Sequence, residues 1–190
     1  MNFDWTNQLA EQLDWHWQNQ FRPRLDGLTD QEYFWEPVPG CWSLRRRDTA
    51  PMAAGAGEYR YEFAYPPPEP APVTTIAWRL AHVIVGVFAM RNASHFGGPP
   101  AGWDTFMYAG TATEALAQLD SVYDTWIKGV RGLGNEGLAR ACGPTEGPYA
   151  DYPRAALVLH INREVLHHGA EIALLRDLYW AKGRTSDDRR

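Results

Sequence analysis

The residues best suited to carry chemistry form a pair in the last quarter of the chain. Glu164 and His168 are four residues apart, and a helix turning about 100° per residue places both in one apolar stripe. An ionised carboxylate in an apolar core is strongly destabilising unless it has a partner. A carboxylate and an imidazole one turn apart can hold a divalent cation between them. The spacing therefore indicates a metal site or a buried polar pair.

A third ligand can come from an earlier helix. His82 lies in the apolar run of residues 76–84, close to the face that would point inward. The predicted site is therefore His82, Glu164 and His168. Three nitrogen and oxygen ligands leave coordination positions open, as is typical of catalytic rather than structural metal sites.

Other interpretations of the same residues stay open. Glu164 and His168 could form a salt-bridged pair, or Glu164 could meet Arg79 or Arg91 on a neighbouring helix. His160 is one turn before Glu164 and could replace or support His168. His167 falls at the edge of the stripe, and His16 and His95 are expected at the surface.

Four amphipathic helices must position these residues. Apolar side chains recur at helical spacing in four segments, which cap and breaker residues delimit; they cover about residues 5–26, 75–96, 112–131 and 153–183. Thr29 and Glu32 form a capping-box pattern in the first connection. The fold class predicted is all-α, an antiparallel four-helix bundle with long connecting loops. Residues 41–73 are expected to form a long loop that could include a short hairpin.

The same pattern predicts one domain over residues 1–183. The remaining residues, 184–190, are charged and are expected to form a disordered tail. A length of 190 residues fits a single domain.

Composition narrows the function classes. The net charge is −5, which argues against a nucleic-acid or anionic-membrane partner, because those surfaces attract basic patches. No run of 18 apolar residues is present, and the N-terminal segment lacks a secretory pattern. Cys41 and Cys142 have no metal-ligand spacing, so a reducing, cytoplasmic location is expected. Small-molecule or protein partners remain.

Several segments resemble the DinB superfamily of metal-binding four-helix bundles. They are the segments 27–33, 42–45, 74–82 and 162–172. In that family one histidine of the second helix and an H-x-x-x-H pair of the fourth bind a divalent metal. Here Glu164 stands where the pair has its first histidine, which resembles the mycothiol-dependent maleylpyruvate isomerase branch. The resemblance thus implies the same three ligands, His82, Glu164 and His168.

The resemblance also implies an activity. The metal, zinc or else nickel or manganese, would bind a low-molecular-weight thiol such as mycothiol and present the thiolate to a small electrophilic substrate. The protein would then be a thiol S-transferase or a thiol-assisted isomerase. One alternative is a hydrolase with a metal-bound water and His160 or Glu171 as proton acceptor. Another is a non-catalytic metal-binding protein of a stress response.

Further residues are candidates for contacts with the thiol or substrate. Arg79, Arg45 and Arg91 could bind carboxylates. The aromatic residues expected to wall a pocket are Trp42, Trp78, Trp103 and Tyr108. A homodimer is compatible with the family, although nothing in the sequence fixes an interface.

Overall fold

The structure is a computed structural model that describes residues 3–49 and 52–187, with side chains described as far as residue 182. Helices dominate these residues. The first, α1 (Trp5–His16), begins after the N-cap Asp4 and continues as a π-helical segment, Trp17–Phe21, and a 3-10 turn, Pro23–Leu25. Its inward residues Leu13, Trp17, Phe21 and Leu25 are buried. The predicted first helix is therefore confirmed.

A short helix, α2 (Asp30–Tyr33), follows in the first connection. The Thr29 hydroxyl accepts the backbone N–H of Glu32, and the Glu32 carboxylate accepts the backbone N–H of Thr29. This reciprocal pair is the predicted capping box.

A small sheet lies within residues 41–73, the segment predicted as a long loop that could include a short hairpin. Strands β1 (Leu44–Arg46), β2 (Ala53–Ala54) and β3 (Tyr59–Glu62) are antiparallel in the order β1-β3-β2, with Leu44 opposite Tyr61. The all-α expectation is therefore corrected to a mainly helical fold with a three-stranded sheet. Strands of two to four residues are too short to produce a recognisable period in the sequence.

The second predicted helix is divided into three parts. Helix α3 (Ile76–Ala81) starts after Thr75, whose hydroxyl accepts the backbone N–H of Trp78. It continues as a π-helical segment, His82–Ala89, and ends as α4 (Met90–His95). Thr75 is thus the N-cap of this helix.

The later helices follow the predicted order. Helix α5 (Ala112–Arg131) starts after the N-cap Thr111. A short helix, α6 (Gly134–Ala139), and a 3-10 segment, Pro144–Tyr149, lead to the long α7 (Arg154–Asp187). The helix continues past Gly183, so the tail predicted over 184–190 starts inside it. Residues 188–190 lie outside the described residues, and disorder of the tail stays a prediction.

The long helices share one core. Helix α1 packs against α5 and α7, and α3 with its π-helical continuation packs against the same two helices. Among the fully buried side chains in this core are Leu13, Phe88, Trp126 and Ile161. In the described part of the chain, no helix combines the length and apolar character needed to cross a membrane. The packing brings the inward face of α7 against the start of the π-helical segment.

Candidate metal centre

Helix α7 carries two of the three predicted ligands on its buried stripe. His168 is nearly buried, with 9% of its side chain exposed, and Glu164 is 25% exposed. Ile161, Val165 and Ile172 flank them and are buried. The helix period alone produces this placement, because residues one turn apart share a face.

His82 lies where α3 passes into the π-helical segment. Its ring lies parallel to the ring of Trp78, at 5.7 Å between centroids and 1°, and close to that of Trp103, at 5.8 Å and 25°. Burial lowers the pKa of His82 to about 4, and the neighbouring His168 and Arg79 act in the same direction. His82 is therefore a neutral imidazole near pH 7, which is the form that binds metals.

The structure brings His82, Glu164 and His168 together. One donor atom from each residue lies within 4.8 Å of the other two. Nε2 of His168 and Oε2 of Glu164 are 3.5 Å apart, which is longer than an ordinary hydrogen bond. Two ligands bound at ~2.0–2.1 Å to one tetrahedral cation are separated by about 3.3 Å. The spacing and the donor types thus fit a divalent cation between these side chains.

Glu171 orients His168. Its Oε2 lies 2.7 Å from Nδ1 of His168, so an ionised Glu171 accepts the Nδ1 hydrogen and leaves Nε2 free to act as a ligand. Nε of Arg79 lies 3.1 Å from the same carboxylate oxygen and balances its charge. These two contacts fit a positioning role for Glu171, and its predicted role as a proton acceptor stays a prediction.

His160 lies on the other side of Glu164. Its Nδ1 is 3.5 Å from Oε1 of Glu164 and 2.6 Å from Nη2 of Arg163. It therefore contacts the oxygen of Glu164 that does not face His168. This position fits a supporting residue or a proton acceptor better than a replacement for His168.

A second group of donor atoms uses the outer side of α7. His167, His168 and Glu171 also have donor atoms within 4.8 Å of one another. However, His167 is 64% exposed, and the carboxylate of Glu171 already contacts Arg79 and His168. A cation there would compete with the guanidinium, so the first group is the better candidate.

One cavity adjoins the candidate metal centre, and a second cavity shares part of its lining. The smaller, of about 240 Å³, is lined in part by His82, Glu164 and Trp103. The larger, of about 670 Å³, lies between α7 and the segment 142–152. Arg91 and His160 line both cavities. A small molecule in the larger cavity could therefore reach the metal centre.

Four residues predicted to contact the thiol or substrate do not line either cavity. Arg45 is paired with Glu36 and Glu62, at 2.6 and 3.0 Å. In the described part of the chain, the linings of the two cavities include none of Arg45, Arg79, Trp42 and Trp78. Arg79 contacts Glu171, Trp78 stacks on His82 and Trp42 lies beside Trp78, and contact of these residues with a thiol or substrate stays a prediction. Contacts between distant segments determine where these side chains lie, and the residue types alone do not reveal those contacts.

His95 and Glu146 form a buried contact that the sequence does not reveal. Nε2 of His95 lies 3.0 Å from Oε1 of Glu146, and their side chains are 2% and 8% exposed. His95 is thus buried rather than at the surface. Glu146 belongs to a Gly- and Pro-rich segment whose sequence has no helical or strand periodicity. Its contact with His95 is therefore apparent only in the folded structure.

The comparison with protein families identifies the family. The model of the DinB superfamily matches residues 12–172, a range that contains all three candidate ligands. No curated protein and no solved structure matches the chain. Because the match covers most of the sequence, the chain belongs to the DinB superfamily.

Proposed function

We propose that this protein is a metal-dependent enzyme in which His82, Glu164 and His168 hold a divalent cation, with zinc as the first candidate and nickel or manganese as alternatives. The observation that supports this proposal most directly is the convergence of the three donor atoms within 4.8 Å next to a cavity. The proposal includes an antiparallel four-helix bundle formed by the long helices.

The proposed reaction is transfer of a low-molecular-weight thiol, such as mycothiol, to a small electrophile, or a thiol-assisted isomerisation. A bound divalent cation would supply Lewis acidity, which lowers the pKa of a thiol or water ligand. The residues of the chain supply positioning: Glu171 holds the ring of His168, and Arg79 holds Glu171. His160, which lines both cavities, is placed to accept or return a proton.

Cys142 is not the proposed nucleophile. It lines the larger cavity, but burial raises the pKa of its thiol, and the carboxylate of Glu146 acts in the same direction. A thiol that stays protonated reacts slowly. An external thiol therefore fits the site better than a cysteine of the chain.

The remaining proposals concern the surroundings of the enzyme. Cys41 and Cys142 are free, which agrees with a cytoplasmic location. The net charge of −5 favours small-molecule partners over nucleic acids. A homodimer and a single domain over residues 1–183 stay predictions.

The first experiment measures metal content. Protein purified without a histidine tag is subjected to elemental analysis as wild type, His82→Ala and His167→Ala. We expect near-stoichiometric metal in the wild type and in His167→Ala, and its loss in His82→Ala. A wild type that contains no metal and takes up neither Zn²⁺, Ni²⁺ nor Mn²⁺ would contradict the proposal.

A second experiment separates the reaction classes. The metal-loaded protein is assayed with an activated aryl halide with and without a thiol, and with an activated ester in the absence of thiol. Thiol-dependent turnover of the halide supports transfer, whereas thiol-independent turnover of the ester supports the hydrolase alternative. Metal binding without either turnover favours a non-catalytic metal-binding protein.

A further inference from the structure

The larger cavity has the size of a site for a small organic molecule. Its volume is about 670 Å³, within the range of ligand pockets in proteins. It meets the smaller cavity at Arg91 and His160, which line both. A ligand in the larger cavity would therefore have one end at Arg91, close to the candidate metal centre.

Arg91 is held in place by contacts on two sides. Its Nη1 donates to the carbonyl oxygen of Gly86 at 2.9 Å, and its Nη2 lies 3.4 Å from Oε2 of Glu146. Nε of Arg91 is buried and has no hydrogen-bond partner among the described residues. Nη1 and Nη2 each carry two N–H donors, and the structure gives each of them one partner, so Arg91 retains donors for a ligand on these two atoms.

Glu146 holds Arg91 in place. The arginines in the lining of the cavity outnumber its carboxylates. The carboxylate of Glu146 is nearly buried and contacts His95 as well as Arg91. The other charged residue of the lining is Arg163. The lining of the larger cavity therefore carries two arginines and one carboxylate; Glu164, which lies 3.4 Å from Nη2 of Arg163, lines the smaller cavity instead. This balance favours a ligand with a negative charge.

Part of the lining is aromatic. Tyr149 and Tyr152 line the cavity, and their rings make an edge contact at 5.6 Å between centroids. Both residues are more than half exposed, which is costly for aromatic surface and is relieved when an apolar group covers it. A ligand with an apolar body would provide that cover.

We propose that the larger cavity binds the substrate as an organic acid, with its carboxylate on Arg91 and its apolar or aromatic body against Tyr149 and Tyr152. The inference rests on the proposed function, since it names the class of substrate that reaches the metal centre. Arg91 is the specificity-determining residue of this site, and Glu146 is a positioning residue that acts through Arg91.

The test uses a matched pair of probes, 4-phenylbutyrate and its uncharged amide, in calorimetric titrations of the full-length protein. We expect the acid to bind both the metal-free and the zinc-loaded wild type, and the amide to bind at least tenfold more weakly, because a charge-assisted bidentate contact is lost. Arg91→Gln should weaken binding of the acid roughly tenfold or more. Arg45→Gln, which alters an arginine of similar exposure away from the cavity, should leave binding of the acid unchanged.

Two further variants cover the case in which Arg91→Gln does not fold, as judged by circular dichroism. Arg91→Lys retains the charge but not the fork of donors, and Tyr149→Ala removes an exposed aromatic wall; both should weaken binding of the acid. Binding of wild-type strength in both variants would overturn the inference. So would an Arg91→Gln variant that binds the acid like the wild type, or a wild type that does not bind it in either metal state.

The outcomes also separate this inference from the proposed function. Zinc content of every sample is measured alongside the titrations. Zinc binding without binding of the acid would refute the organic-acid site and leave the metal-dependent function standing. Binding of the acid that depends on Arg91 in a protein that binds no metal would support the cavity assignment and contradict the metal-dependent function.

Discussion

Nδ1 of His168 lies 2.7 Å from Oε2 of Glu171, three residues later on the same helix. The contact fixes which nitrogen of the ring carries the hydrogen, and it directs the other nitrogen towards Glu164. Arg79 reaches the same carboxylate from α3. The ligand set is therefore supported by an ion pair that links the two helices carrying it.

The first prediction concerns this support. We expect Glu171→Ala to weaken zinc binding by about 10- to 100-fold, as loss of an orienting partner does in other metal sites. Glu171→Gln retains an acceptor for Nδ1 and should restore part of the affinity. Competition with a chromophoric chelator measures both.

His167→Ala is the matched control for this prediction. His167 lies 3.6 Å from Oε1 of Glu171 but takes no part in the proposed ligand set, so its removal should leave zinc affinity unchanged. An equal loss in His167→Ala would place the cation in the outer group of donors. Unchanged affinity in Glu171→Ala would show that the hydrogen bond does not orient the ligand.

The second prediction concerns the anchoring of α7. Nη2 of Arg176 lies 3.1 Å from Oε1 of Glu32, and each side chain is only 3% exposed. Removing one partner leaves a buried charge, which typically costs 3–5 kcal/mol. We expect Arg176→Leu to lower the free energy of unfolding by about that amount, as measured by urea denaturation.

Lys128→Ala serves as the comparison. Lys128 pairs with Asp124 at the surface, where both side chains are more than half exposed, and such pairs contribute about 0–1 kcal/mol. If Arg176→Leu were no more destabilising than Lys128→Ala, the buried pair would not anchor the helix.

Local spacing explains how much of the site could be predicted. Glu164 and His168 are four residues apart on one helix, so helix geometry alone predicts their proximity. His82 could be added because its apolar neighbours indicated an inward face, together with the family resemblance. The capping box of Thr29 and Glu32 likewise acts within three residues and was predictable.

Contacts between distant segments could not be predicted in this way. The pairing of Arg79 with Glu171 depends on the rotation of α3 relative to α7. The spacing of apolar residues within either helix does not determine that angle. Arg45 was a candidate anion-binding residue until the sheet placed Glu62 beside it. The contact between His95 and Glu146 joins a helix end to a segment of irregular structure, which carries no sequence period.

The third prediction concerns the rings beside His82. The indole of Trp103 lies 5.8 Å from the imidazole of His82 between centroids and contributes to its burial. Trp103→Ala should admit water and raise the pKa of His82 from about 4 towards the ordinary value of 6.5. An NMR pH titration of the metal-free protein measures the shift, with the resonance assigned by His82→Gln. Trp5→Ala, which alters an exposed indole, should leave the pKa unchanged; a similar shift in both variants would contradict the role of Trp103.

The fourth prediction concerns the pH dependence of the stability of the metal-free protein. The pKa of His82 is about 4 in the folded protein against 6.5 for a free side chain. Between these values the unfolded chain binds a proton that the folded protein does not, so the stabilisation by neutral His82 is complete above pH 6.5 and falls as the pH decreases towards 4. The slope from this single group is at most about 1.4 kcal/mol per pH unit. Urea denaturation of chelator-treated wild type and His82→Gln across this pH range isolates the contribution of His82, because the other titrating groups are common to both proteins. Curves that stay parallel from pH 7 to pH 4 would show that His82 titrates alike in the folded and unfolded chain.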